Sequence, residues 1–207
     1  MRISNSFYII ILTLCFFLSF VAKAEESSFF NQKIEEGALS SNAAMREGTQ
    51  HMLSTFNKNP KKYTPENIEH LDMKFEKGLD DICANCRYDV KFNNKQNPNL
   101  PLFEEFKSYN SETWSKIAND KGFIQQFKSY LQKVNKIEDL AYVINSNKAN
   151  INEVKQAFKE LFKNKKDELF EIIRKNRNLS ESLDIDNISD LTSEKISDIV
   201  EIIIKTP

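Results

Sequence analysis

From residue 25 onward, apolar side chains recur every three or four positions, the period of a helix with one buried face. Phe30, Ile34, Ala38, Met45, Met52 and Phe56 form a first stripe. The polar run NKNPKKYT at 57–64 ends it. Thr64 followed by Pro65 reads as the cap and first position of a second helix, where the missing proline N–H costs nothing. That helix carries Ile68, Leu71, Phe75, Leu79, Ile82 and Cys86. The Asn-rich stretch 89–100 reads as a loop or hinge, near the upper end of ordinary loop length. Pro101 then opens a third helix bearing Leu102, Phe103, Phe106, Tyr109, Trp114 and Ile117, broken at 119–122. A fourth stripe runs through Phe123, Phe127, Tyr130, Val134, Ile137, Ala141 and Ile144. Asn150, with Glu153 three residues later, starts a fifth helix in the manner of a capping box. It holds Ile151, Val154, Phe158, Leu161, Leu169 and Ile172 and ends at 174–178, where cations suit the negative end of the helix dipole. Leu183, Ile185 and Ile188 precede a short final helix with Ile196, Ile199, Val200 and Ile203.

This pattern predicts an all-α fold: five or six helices in one bundle-like domain. A helical hairpin at 25–88 and a bundle at 101–207 flank the hinge, and the two can belong to one domain. Four glycines and five prolines supply too few tight turns for a sandwich or barrel and no phosphate-binding glycine loop. The quartet at 106–109 (FKSY) recurs at 127–130, but a solenoid needs at least three such units.

Residues 1–24 read as a cleaved signal peptide. Arg2 supplies the charged start, 7–21 the apolar stretch, and Ala22 and Ala24 the small residues read at cleavage. Fifteen helical residues would span about 22 Å, short of a roughly 30 Å hydrocarbon core. The product should be exported, periplasmic or secreted, and not membrane-spanning.

Charge and chemistry narrow the classes further. Without Arg2 and Lys23 the chain carries 27 basic and 30 acidic side chains, which argues against a nucleic-acid partner. The lysines at 61–62 and 163–166 read as solvated helix surface. Cys83-Ala84-Asn85-Cys86 is the one site-like motif, a disulfide candidate in an oxidising compartment. At a helix C-terminus the dipole has the wrong sign to activate a thiolate. Arg87 stands where haem attachment needs His, and His51 and His70 match no zinc spacing. No metal or other cofactor is expected. Glu104-Glu105 reads as an ordinary exposed helix pair, and 184–195 fails as a calcium loop. Phe103, Tyr109 and Trp114 form either core or an interaction surface. Asn178 and Asn187 would be glycosylation acceptors in a eukaryotic source. The function these features suggest is an exported, non-enzymatic interaction protein, such as a secreted bacterial effector or an accessory of an envelope or secretion machine, with a protein partner. The alternative is a thiol-disulfide oxidoreductase or redox-regulated chaperone using Cys83 and Cys86. A helical carrier with a ligand cavity is a third class.

Overall fold

The computed structural model describes residue 32 and residues 34–74 and 86–207. The signal-peptide reading, with Ala22 and Ala24, and Cys83 fall outside the described residues.

The architecture is mixed α/β, not all-α, and it is not a helical bundle. After a helical segment at 34–38, the elements are α1 (Ala43–Lys58), β1 (Ile68–Lys74), β2 (Arg87–Phe92) and β3 (Phe103–Lys107). A short α2 (Ser111–Trp114) and α3 (Lys121–Lys133) lead to β4 (Leu140–Ile144). Then come α4 (Ile151–Asn164), α5 (Lys166–Lys175), α6 (Arg177–Leu183), α7 (Ser193–Ile203) and β5 (Ile204–Lys205). The strands lie in the order β1-β2-β3-β4-β5, with β1/β2 and β2/β3 antiparallel and β3/β4 and β4/β5 parallel. The sheet therefore joins strands from both sides of the expected hinge, and β2 occupies the first part of the 89–100 stretch.

The strands replace the expected helices for local reasons. Thr64 and Pro65 begin a turn, with Thr64 Oγ1 accepting from the Asn67 N–H at 3.3 Å, and the chain then extends into β1. β3 and β4 are buried at every position, so they present no alternation of polar and apolar residues. Parallel strands covered on both faces read as continuous buried runs. Asn59 closes α1 and Val134 closes α3, so the fourth stripe leaves helix before β4.

Helix starts behave as their caps dictate. Asn42 caps α1, Asp120 caps α3, Asn150 caps α4 and Thr192 caps α7, each accepting from a first-turn N–H. Lys165 breaks the fifth stripe into α4 and α5. Asn176 ties the helical layer together. Its side-chain N–H groups donate to Leu131 O at 2.8 Å and Val134 O at 2.7 Å.

Two apolar cores result. The larger packs α3 to α7 around Trp114, Phe127, Tyr142, Phe158 and Phe162. The smaller holds Phe56, Tyr63, Leu71, Val90, Phe92, Phe106 and Val143. Phe103 and Trp114 are buried in the larger core and Tyr109 packs half-buried against it, so this trio is core rather than an exposed patch. Among the described residues, no helix is long and apolar enough to cross a membrane.

Candidate functional site

The ladder between β2 and β3 has two registered pairs, Val90 with Glu104 and Lys91 with Phe103. Beyond Val90 side chains take over the backbone groups. The Asp89 N–H donates to Glu105 Oε2 at 3.3 Å, and the Phe106 N–H donates to Asp89 Oδ2 at 2.7 Å. Two carboxylates are thus held together where neighbouring strands part. This is the end of the sheet at which β3 and β4 finish, the usual place for ligands in sheets with parallel strands.

Glu105 and Lys107 are two residues apart on β3, so the pleat sends both to one face. The Lys107 ammonium donates to Glu105 Oε1 at 2.5 Å and to Gln126 Oε1 at 3.2 Å. The Gln126 amide donates to Glu105 Oε1 at 2.9 Å and to Arg87 O at 2.7 Å. Tyr130 OH donates to Glu105 Oε2. Gln126 and Tyr130 are four apart on α3 and so share one helix face. Burial, then the charge of Glu105, raises the Tyr130 phenol well above its ordinary value.

Asp89 is pushed up to about 8, by burial first and then by the Glu105 charge. Burial works against a charged Lys107, but Glu105, with Tyr109 and Asp89, outweighs it and raises the ammonium above its ordinary value. With both acids ionised the cluster would hold more negative charge than its one lysine offsets, and Asp89 retains a proton near neutral pH. Tyr142 faces Glu105 in the β3/β4 register, and its buried hydroxyl has no partner among the described residues.

A cavity of about 250 Å³ opens onto this cluster. Asp89, Glu105, Lys107 and Tyr109 line it from the sheet side, and Met45, Gly48 and Met52 of α1 cover it. Glu47 stands at its wall, paired with Lys148. Gly37 allows the 34–38 segment to approach α1 closely, because a Cβ there would lie 2.3 Å from Thr49 Oγ1. Asp72 also lines the cavity, at the unusual φ of 45°, and pairs with Arg87 at 2.6 Å. Such backbone positions gather at functional sites.

The residues singled out from sequence lie elsewhere or take other roles. Cys86 directly precedes β2 and is disulfide-bonded, and Cys83 lies outside the described residues. His51 is buried with Nε2 3.0 Å from Val143 O, and His70 lies beside Glu69. Among the described residues no three His, Cys, Asp or Glu side chains form a group able to hold a metal alone. Glu104 and Glu105 are both buried and point to opposite faces of β3. Glu104 accepts from Lys62 at 2.5 Å and from Tyr63 OH at 2.8 Å.

Two signals in the sequence point to the cluster: the alternation Glu105-x-Lys107, and the spacing Gln126…Tyr130. A helical reading of 101–117 hides both. No protein-family model matches this chain, and no curated protein or solved structure matches it.

Proposed function

We propose that this chain is a divalent-metal-dependent phosphodiester hydrolase acting on nucleic acid, with Asp89, Glu105 and Lys107 at its centre. The observation that carries this reading is a bonded cluster of two carboxylates and a buried lysine whose residues border one small cavity. Magnesium keeps most of its waters and uses one or two protein carboxylates plus substrate phosphate, so Asp89, with the Glu105 charge beside it, meets the minimum. Burial, then the Glu105 charge, makes Asp89 keep its proton, which a bound cation would have to displace.

The alternatives fit less well. Glycoside hydrolysis sets its carboxyl groups about 5–9.5 Å apart, on either side of the bond. Here the Asp89 backbone N–H donates to the Glu105 carboxylate and, after burial, the Glu105 charge does most to raise the Asp89 pKa, so the acids are close neighbours rather than set on either side of a bond. An aspartic-protease-like pair shares a proton between two otherwise equivalent acids. Here Lys107 already binds one of them. The cavity of about 250 Å³ lies below the roughly 300–1,000 Å³ of small-molecule pockets. It admits a phosphate and an ion while the rest of a polymer stays outside.

When bound, the cation supplies a polarised phosphoryl oxygen and a water acidic enough to attack phosphorus. Asp89, once ionised, would hold it; both Glu105 oxygens already accept from Lys107, Gln126, Tyr130 and the Asp89 N–H, so Glu105 would supply negative charge beside the ion. Gln126 and Tyr130 fix the Glu105 carboxylate. The Lys107 ammonium offsets negative charge on the phosphoryl oxygens as water adds to phosphorus and the P–O bond to the leaving alcohol breaks. This reading departs from the expectation drawn from net charge, because a whole-chain sum is blind to one cluster.

The test is cleavage of labelled single- and double-stranded oligonucleotides with magnesium or manganese. The expected result is cleavage abolished by chelator and reduced at least about 100-fold in Glu105→Gln, the scale of losing a key electrostatic group. A folded wild-type chain that cleaves neither substrate with either metal, and binds neither metal by calorimetry, overturns the reading.

A further inference from the structure

Lys159, Lys163 and Lys166 stand four and then three residues apart, the spacing that puts side chains on one helix face. They line one groove of about 590 Å³ that continues across the break at Lys165. The opposite wall is the start of α7, with Thr192, Ser193 and Ser197.

The neighbouring lysines are committed elsewhere. Lys155 pairs with Glu201, and Lys128 and Lys165 both pair with Glu168. Lys159, Lys163 and Lys166 have no ion-pair partner among the described residues. Glu160 lies in the same groove, but the Gln156 amide donates to it at 3.4 Å, and Glu194 stands in the first turn of α7. Three unpaired cations therefore outnumber two acids.

The arrangement is a row and not a point. Lys159 and Lys163 are separated by about one helical turn, roughly 6 Å, and Lys166 continues past the break. A single phosphate could engage one end of such a row. A chain of regularly spaced phosphates engages its length.

We propose that this groove is a second binding site, for the phosphate backbone of a nucleic-acid strand held apart from the reaction centre. The choice of nucleic acid over another polyanion rests on the phosphodiester reading of the Asp89–Glu105–Lys107 cluster; the groove's preference for a row of phosphates does not.

The test uses the full chain in chelator, so that no cleavage intervenes, and a fluorescein-labelled 20-nucleotide oligothymidine read by anisotropy across a salt series. Binding should fall steeply with salt. Each phosphate contact to a single strand contributes about −0.7 to the slope of log affinity against log salt. The triple variant Lys159→Gln, Lys163→Gln, Lys166→Gln should therefore lose about two units of slope and at least tenfold in affinity at low salt. The matched variant Lys58→Gln, Lys61→Gln, Lys95→Gln, which neutralises exposed lysines elsewhere, should change affinity less than twofold. Equal slopes for the wild type and the groove variant overturn the proposal. Unlabelled oligothymidine should compete at lower phosphate concentration than inorganic polyphosphate; the reverse order overturns the assignment to nucleic acid. Glu105→Gln should bind with the wild-type slope, so loss of cleavage and loss of groove binding fail separately.

Discussion

Replacing Asp89 with asparagine tests the electrostatics of the cluster while keeping its shape. The amide oxygen of the Asp89→Asn variant can still accept from the Phe106 N–H, as the Asp89 carboxyl does at 2.7 Å. What changes is the proton. Burial and the Glu105 charge hold Asp89 near 8, against an ordinary value of 3.8. Between roughly pH 4 and pH 8 the folded chain therefore keeps a proton that the unfolded chain has released. Because the folded state binds more protons, its stability is greatest below the unfolded value and declines as pH rises through the folded one. The slope has a ceiling of about 1.4 kcal/mol per pH unit. Asp89 is half-buried, and the site can relax, so a total difference of about 1–3 kcal/mol between pH 5 and pH 8 is expected. Urea unfolding of both proteins at pH 5, 6, 7 and 8 measures it. Comparing wild type with variant removes other titrations, including that of His51, whose depressed value acts in the opposite direction. The stability of the wild type should fall relative to Asp89→Asn as pH rises, and the variant should be the more stable at pH 8. A difference independent of pH would refute the account of a buried acid held neutral beside Glu105.

Four further outcomes are expected. Trp114→Ala should cost roughly 3–5 kcal/mol in denaturant unfolding, the range for truncating a buried aromatic, and a small effect would return Trp114 to the surface. Asn176→Ala should cost about 2–3 kcal/mol, since it strands the Leu131 and Val134 carbonyls, measured by thermal or chemical unfolding. Tyr130→Phe should lose about 1.5–3 kcal/mol with its bond to Glu105, whereas Tyr142→Phe, whose hydroxyl has no partner among the described residues, should shift stability by less than about 0.5 kcal/mol. Wild-type melting temperature should rise with added magnesium more at pH 8 than at pH 5, because the cation displaces the Asp89 proton; equal shifts at both values would count against metal binding at this cluster.

The helical half of the molecule is legible because its helices have one face to bury and all but α5 have a capping side chain at the start. Asn150 and the stripe from Val154 to Leu161 mark α4, and Ile196 to Ile203 mark α7. The sheet is not legible for the converse reason. β3 puts Glu104, Glu105 and Lys107 in buried positions, where a strand with one wet face would alternate. β4 is apolar throughout and falls in phase with the stripe of the preceding α3, so a period of 3.6 passes through it unbroken. The site shares this fate. On an exposed helix its acids are unremarked, and its lysine is one member of the repeated FKSY quartet. Only strand pairing brings Asp89 across from Glu105, and that contact is made between residues with no local signal linking them.

The adjacent acids of β3 also act as pins. Glu104 fits Lys62 and Tyr63 on one side of the sheet; Glu105 fits Lys107, Gln126 and Tyr130 on the other. A one-residue slip along β4 would exchange the two faces, and a two-residue slip would carry both carboxylates away from their donors together. Either leaves buried acids unpaired. An all-apolar strand would lose far less stability to the same error, so this strand's chemistry and its alignment are fixed by the same side chains.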